Sequence, residues 1–133
     1  MLRTGLTIAA AAAAAALTLT AAFSSPQEAS PSVIEIQLKN YDFVPSTLHL
    51  THGVPVVLRL VETAGSHSFS APELFAASTL DPATAQLVHN GKVEVGEGGV
   101  ELRLTPNTPG TYAFHCTHFM HSAFGMKGTA VVE

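Results

Sequence analysis

From Val33 to the C-terminus the chain is a succession of short β-type runs separated by turn-forming residues. The runs are Val33–Leu38, Thr47–Thr51, Val56–Val61, Lys92–Val95, Val100–Leu104, Thr111–His115 and Thr129–Val132. Short runs at roughly regular spacing, with Gly, Pro and Asn between them, predict a β-sandwich or barrel. Alternation at Glu94-Val95 and from Glu101 to Leu104 implies strands with one wet face and one buried face. The stretch 71–91 departs from this pattern. Asp81 can cap a helix that starts at Pro82, runs through Ala83 to His89 and ends at Asn90-Gly91. Glu73 to Ala77, following Pro72, can form another turn, so a small helical insertion is expected to cover one side of the sandwich. The stretch Gly96–Gly99, with its Glu97-Gly98-Gly99 turn, reads as a hairpin loop.

A length of 133 residues suits one domain, and no internal repeat appears beyond an alanine run. Ten acidic against six basic side chains, a formal charge of −4, exclude a nucleic-acid binder, which needs clustered Lys and Arg. The apolar fraction of 47% is inflated by alanines at 9–16, 21 and 22. They belong to a segment with Arg3 near its start, no charge from Gly5 to Ala22, and small residues before a polar stretch. That is the pattern of a secretory signal peptide, assigned to residues 1–23. An uncleaved membrane anchor is the competing reading, disfavoured because alanine is weakly apolar and threonines interrupt the run. No cysteine follows the apolar segment, which argues against a lipoprotein. Residues 24–32, rich in Ser and Pro, read as a flexible lead, and residues 33–133 as the domain. The mature protein is expected to be periplasmic or secreted, with no stable membrane span.

In that compartment the lone Cys116 cannot staple the domain to itself. An intermolecular bridge, a free thiol or a metal ligand remain. Its surroundings favour the metal: His115, His118 and His121, Cys116, Met120 and Met126 fall within twelve residues. Thiolate and thioether beside imidazole suit copper, whereas zinc more often takes four paired Cys/His ligands and iron–sulfur clusters need more thiolates. Two His, one Cys and a weak axial Met make the blue-copper arrangement, which needs one more histidine from elsewhere in the fold. His67, in Gly65-Ser66-His67-Ser68-Phe69, is the candidate, reaching the 116–126 loop from a loop after the strand that ends near Val61.

At these residues the chain resembles the cupredoxin family. The resemblance spans about residues 33–133 and is carried by His67, by Gly110-Thr111-Tyr112-Ala113-Phe114-His115-Cys116 and by Gly125-Met126-Lys127-Gly128. The spacing Cys116-x4-His121-x4-Met126 is similar to the longer ligand loops of rusticyanin- and auracyanin-like cupredoxins, and to type 1 sites of multicopper oxidases. The resemblance implies an all-β, Greek-key β-sandwich or barrel of about seven or eight strands, with the helical insertion near residues 72–90. It implies one type 1 copper, with Cys116 as thiolate, His67 and His121 completing the plane, and Met126 as axial ligand. It implies a small one-electron carrier, expected as a monomer, docking transiently with a redox partner near His121, where some of Phe119, Ala123 and Phe124 would form an apolar patch; the plainer reading is that they pack inside. Many cupredoxins carry Asn after the upstream His; here Ser68 stands there, and its hydroxyl can still donate to the thiolate.

His118 is an alternative to His121 as ligand, although its spacing to Met126 is then unfamiliar. His49, His52 and His89 read as surface or turn residues. Enzyme signatures are missing: there is no Gly-x-Ser-x-Gly, HExxH or phosphate loop, and no His-x-His pair for a trinuclear copper cluster. The reading from another class is a copper chaperone, storage or resistance protein that uses the surplus His115, His118 and Met120 to hold Cu(I). A copper-free interaction module that keeps only the fold is a third.

Overall fold

All seven β-type runs become strands, and three more join them. The computed structural model describes residues 30–133 and the isolated positions 5, 21, 22 and 25; apart from these positions, the expected signal peptide and most of the lead lie outside the described residues. The strands are β1 (Ser32–Lys39), β2 (Asp42–Val44), β3 (Thr47–Leu50), β4 (Val56–Glu62), β5 (His67–Ser70), β6 (Ser78–Leu80), β7 (Lys92–Val95), β8 (Val100–Pro106), β9 (Gly110–His115) and β10 (Lys127–Val132). Two short helices, α1 (Pro72–Ala76) and α2 (Pro82–Leu87), flank β6. The strands form two five-stranded sheets, in the orders β2-β1-β4-β8-β6 and β3-β10-β9-β5-β7. Both sheets are mixed, because β1 runs parallel to β4 and β3 parallel to β10. The expected sandwich is present with ten strands rather than seven or eight.

Period-two alternation sets the core. Ile36 and Leu38 on β1, Leu58 and Leu60 on β4, and Leu102 and Leu104 on β8 face Leu48, Val93, Val95, Phe114 and Ala130 of the other sheet, all buried. Each buried Leu or Phe stabilises the fold by about 1.5–3 kcal/mol relative to an exposed one. The aromatic centre is Phe43, Phe69 and Phe114, with Phe43 edge-on to Phe114 at 5.1 Å and Phe69 tilted against Phe114 at 4.9 Å.

Three differences from the sequence reading have physical causes. β2 and β6 are three residues each, too short to show alternation, and exist through pairing with β1 and β8. β5 carries His-Ser-Phe-Ser, all buried, so its polar face looks like a loop in sequence although both of its faces are covered. Gly96–Gly99 is not a hairpin loop: β7 belongs to one sheet and β8 to the other, so the turn carries the chain across the sandwich. Gly99 has φ +73, and a Cβ there would collide with the carbonyl oxygen of Leu60.

The helical insertion is two helices separated by β6. Asp81 caps α2 as expected, accepting from the Thr84 N–H at 2.7 Å, and Thr84 is buried with its Oγ1 accepting from the Arg103 N–H at 2.8 Å. Hydrogen bonds from Thr84 hold the Asp81 carboxyl below its ordinary pKa. From α1, Leu74 and Phe75 enter the core, with Phe75 at 6.1 Å from Phe69.

Candidate metal centre

The alternation that fills the core also delivers the side chains that could hold a metal ion. On β5 the inward positions are His67 and Phe69; along β9 they are Phe114 and then Cys116, the first residue past the strand. β5 and β9 are antiparallel neighbours, with Ser70 opposite His115, so His67 and Cys116 emerge side by side at one end of the sandwich. His67 therefore reaches the site from the start of a strand, not from a loop.

The chain leaving Cys116 turns repeatedly before β10 and is tied back at its base. The Cys116 N–H donates to the Met126 carbonyl at 3.1 Å, and the Met126 N–H to the His121 carbonyl at 3.0 Å. Within the loop, the His121 N–H donates to the His118 carbonyl at 3.1 Å, and that of Phe124 to Met120 at 3.0 Å. Gly125, at φ +103, makes the return that brings Met126 back inside, where it is fully buried.

His67, Cys116 and His121 converge, their donor atoms all within 4.8 Å of one another. The two Nδ1 atoms are 3.3 Å apart, and Cys116 Sγ is 3.5 Å from His121 Nδ1. Three ligands at bonds of about 2 Å in a trigonal plane stand roughly 3.5 Å apart, so the two edges suit a single metal ion. The ring of His67 is fixed from behind: its Nε2–H donates to the Ala64 carbonyl at 2.6 Å, which leaves the Nδ1 lone pair facing the cluster. Burial, reinforced by the neighbouring His67 and His118, lowers the pKa of His121, so its own lone pair stays free of a proton at neutral pH.

The sulfur has its own donors. The Ser68 N–H lies 3.4 Å from Cys116 Sγ and the Ser68 Oγ 3.8 Å. Ser68 Oγ in turn accepts from the Thr117 N–H at 2.8 Å and pairs with the Thr117 hydroxyl at 2.8 Å. Ser68 thus both donates to the sulfur and stitches β5 to the start of the Cys116–Met126 loop. A buried sulfur that acts as a metal donor needs such partners, because a polar or charged group removed from water is costly unless hydrogen-bonded or neutralised.

The other sulfur and imidazole groups of the loop lie apart from this cluster. His118 Nε2 is 2.9 Å from Glu94 Oε2, a hydrogen bond that, with Lys92, holds the Glu94 carboxyl below its ordinary pKa. His115 points to the opposite side of β9 and lines an open groove with Ser122 and Lys127. Met120 is 45% exposed, and His49, His52 and His89 are exposed. The loop presents a largely apolar outer face, with Phe119 91% and Phe124 60% exposed; Ala123 is exposed beside them. Sequence reading missed three contributors: the Ala64 carbonyl, Glu94, and Tyr41, whose ring meets His121 edge-on at 5.0 Å. None carries a spacing signal, since each reaches the site from a different strand or turn.

Comparisons with known proteins agree with this architecture. The chain is similar to auracyanin B, at 22% identity and TM-score 0.53 over 79% of this chain and 91% of that one. A dithionite-reduced auracyanin from the photosynthetic bacterium Roseiflexus castenholzii gives 21% identity and TM-score 0.55, covering 79% and 99%. A mutant plastocyanin of fern gives 23% and 0.50, covering 75% and 100%. No curated protein sequence matches. These structural likenesses speak for the fold, while the sequence itself matches the family described as the cupredoxin-like domain over residues 8–132. With that match running through nearly the whole chain, and the histidine–cysteine–histidine cluster at the end of its two-sheet sandwich, the protein belongs to the cupredoxin-like family.

Proposed function

We propose that this protein is a type 1 copper protein, exported to the periplasm or beyond, that carries single electrons between partners and has no enzymatic activity of its own. The observation that carries the reading is the convergence of His67 Nδ1, Cys116 Sγ and His121 Nδ1 within 4.8 Å. Met126, buried between the backbone anchors of Cys116 and His121, is the proposed axial ligand. Copper bound by this set supplies a one-electron Cu(I)/Cu(II) couple.

The chain's own contribution is to hold the donors in one arrangement. His67 is fixed by Ala64, the sulfur by Ser68, and the two ends of the loop by each other. Donors that need not move between oxidation states keep the reorganisation accompanying electron transfer small. His121 is half-buried, and the exposed Phe119, Met120 and Phe124 surround it with apolar surface. That patch suits a small, short-lived interface with a redox partner, docking on a monomer. No helix among the described residues is long and apolar enough to cross a membrane. The export signal at residues 1–23 and a domain beginning near Val33 complete the proposal.

Adding Cu(II) to the purified protein tests it. An intense visible thiolate-to-copper band that bleaches on reduction and is lost in Cys116→Ser supports the carrier. Colourless Cu(I) binding that survives Cys116→Ser would instead favour copper storage or delivery. His118→Ala should leave the band unchanged, because that imidazole is turned to Glu94; loss of the band there moves the ligand from His121 to His118.

A further inference from the structure

The two ligand histidines are held in different ways. His67 has its outer nitrogen pinned by the Ala64 carbonyl at 2.6 Å. His121 uses Nδ1 toward the cluster, and among the described residues its Nε2 has no hydrogen-bond partner. A ligating imidazole is ordinarily oriented by a hydrogen bond at its second nitrogen; no protein group among the described residues supplies one to His121, so the rings packed against it carry more of its orientation. Its backbone sits in a loop of successive turns, which leaves the side-chain torsions to packing.

Three rings surround it. His67, at 5.1 Å, is the other ligand, and His118, at 5.5 Å, belongs to the same loop and turns away to Glu94. The third, Tyr41, comes from the β1–β2 turn, outside the loop. It meets His121 at 5.0 Å and 69°, and also lies against Phe124 at 5.0 Å, so it bridges the ligand and the exposed patch. The neighbouring Asn40 fits closely over the loop that carries Ala64: a Cβ on Gly65 would lie 2.9 Å from Asn40 Oδ1. One turn therefore abuts both the loop that orients His67 and the ring of His121.

We infer that Tyr41 is a positioning residue for His121, with the β1–β2 turn acting as an external strut that takes the place of the missing hydrogen bond. The inference rests on His121 being a copper ligand for its metal-dependent arm only. An edge-to-face pair contributes through ring contact rather than through the phenol oxygen, so Tyr41→Phe should behave as wild type. Tyr41 is 40% exposed, and a partner pressing on the patch would touch it directly.

The test uses the full chain as wild type, Tyr41→Ala, Tyr41→Leu and Tyr41→Phe. With copper loaded, Tyr41→Ala should lose the metal to a chelator about three- to tenfold faster, the scale of one lost aromatic pair. Tyr41→Phe should restore the wild-type rate, and in a His121→Gly background without added imidazole the Tyr41→Ala effect should vanish. An unchanged rate in Tyr41→Ala, or an increase of the same size in the His121→Gly background, overturns the inference. If Tyr41→Ala does not fold, Tyr41→Leu replaces it in every comparison. A copper-free arm separates this proposal from the carrier reading. The His121 ring resonances should be sharp and show cross-peaks to Tyr41 in wild type, and broaden or multiply in Tyr41→Ala. Ring resonances unaffected by the substitution overturn the strut whether or not copper binds; absence of copper binding in wild type sinks only the carrier reading.

Discussion

The metal centre has a strand half and a loop half, and they are built by different physics. In the strand half, His67, Ser68 and Cys116 sit at the ends of paired strands, are fully buried and are hydrogen-bonded to neighbours. In the loop half, His121 is partly exposed, has no partner for its Nε2 among the described residues and lies against rings, among them Tyr41. A rigid buried side and a thinly covered outer side are what the proposed carrier needs, a firmly held ion and an approach for a partner. The fold supplies the first; a short loop and one turn supply the second.

The largest expected contrast comes from deleting each histidine in turn. His121→Gly should open a solvent-reachable hole that added imidazole fills, restoring the visible band. His67→Gly should not be rescued, because its position is sealed and its Ala64 partner is left behind. Visible spectra with and without imidazole decide it; rescue of both would erase the distinction between the halves. Next in size, Phe69→Ala, two residues inward from His67 beneath the site, should cost about 3–5 kcal/mol in a urea melt. Phe124→Ala, on the exposed side, should stay within about 0.5 kcal/mol.

A smaller effect is expected at the seam between the halves. Ser68→Ala removes the hydroxyl near the sulfur and the acceptor of the Thr117 N–H. Hydrogen bonds to the sulfur favour the more electron-rich Cu(I) state, so their loss should lower the reduction potential, read by redox titration of the visible band. An unchanged potential would mean that the hydroxyl serves Thr117 alone.

The smallest effect lies away from the metal and tests whether the two halves are insulated from the helical insertion. Asp81→Ala should cost about 1 kcal/mol at neutral pH through loss of the cap. The Asp81 pKa is lowered on folding, so the unfolded chain binds the proton more readily. The cap's contribution is therefore present above the ordinary carboxylate range and disappears as pH falls through the lowered value. Urea midpoints of wild type and variant should converge in acid, while the visible spectrum at neutral pH is the same for both.

Much of the candidate site was legible because its donor-type residues recur along one segment. Cys116, His121 and Met126 are five residues apart in turn, and copper's preference for soft donors singles them out. His67 was found only as the missing fourth partner, and its setting was misjudged: Ser-His-Ser reads as a loop, yet pairing with β7 and β9 makes it a strand. Gly96–Gly99 misled for a related reason. A glycine turn between two alternating strands looks the same whether the strands pair with each other or lie in opposite sheets.

The sequence alone determined the class of fold and singled out the side chains that converge at His67, Cys116 and His121, because alternation and donor chemistry are local properties written residue by residue. Only the tertiary structure decided which histidine of the loop faces the sulfur, that Glu94 draws His118 aside, and that Ala64 and Tyr41 orient the two rings. Those choices depend on groups more than twenty residues apart in some cases and on rings meeting across separate turns in others. Contacts of that kind exist only once the two sheets have closed on each other.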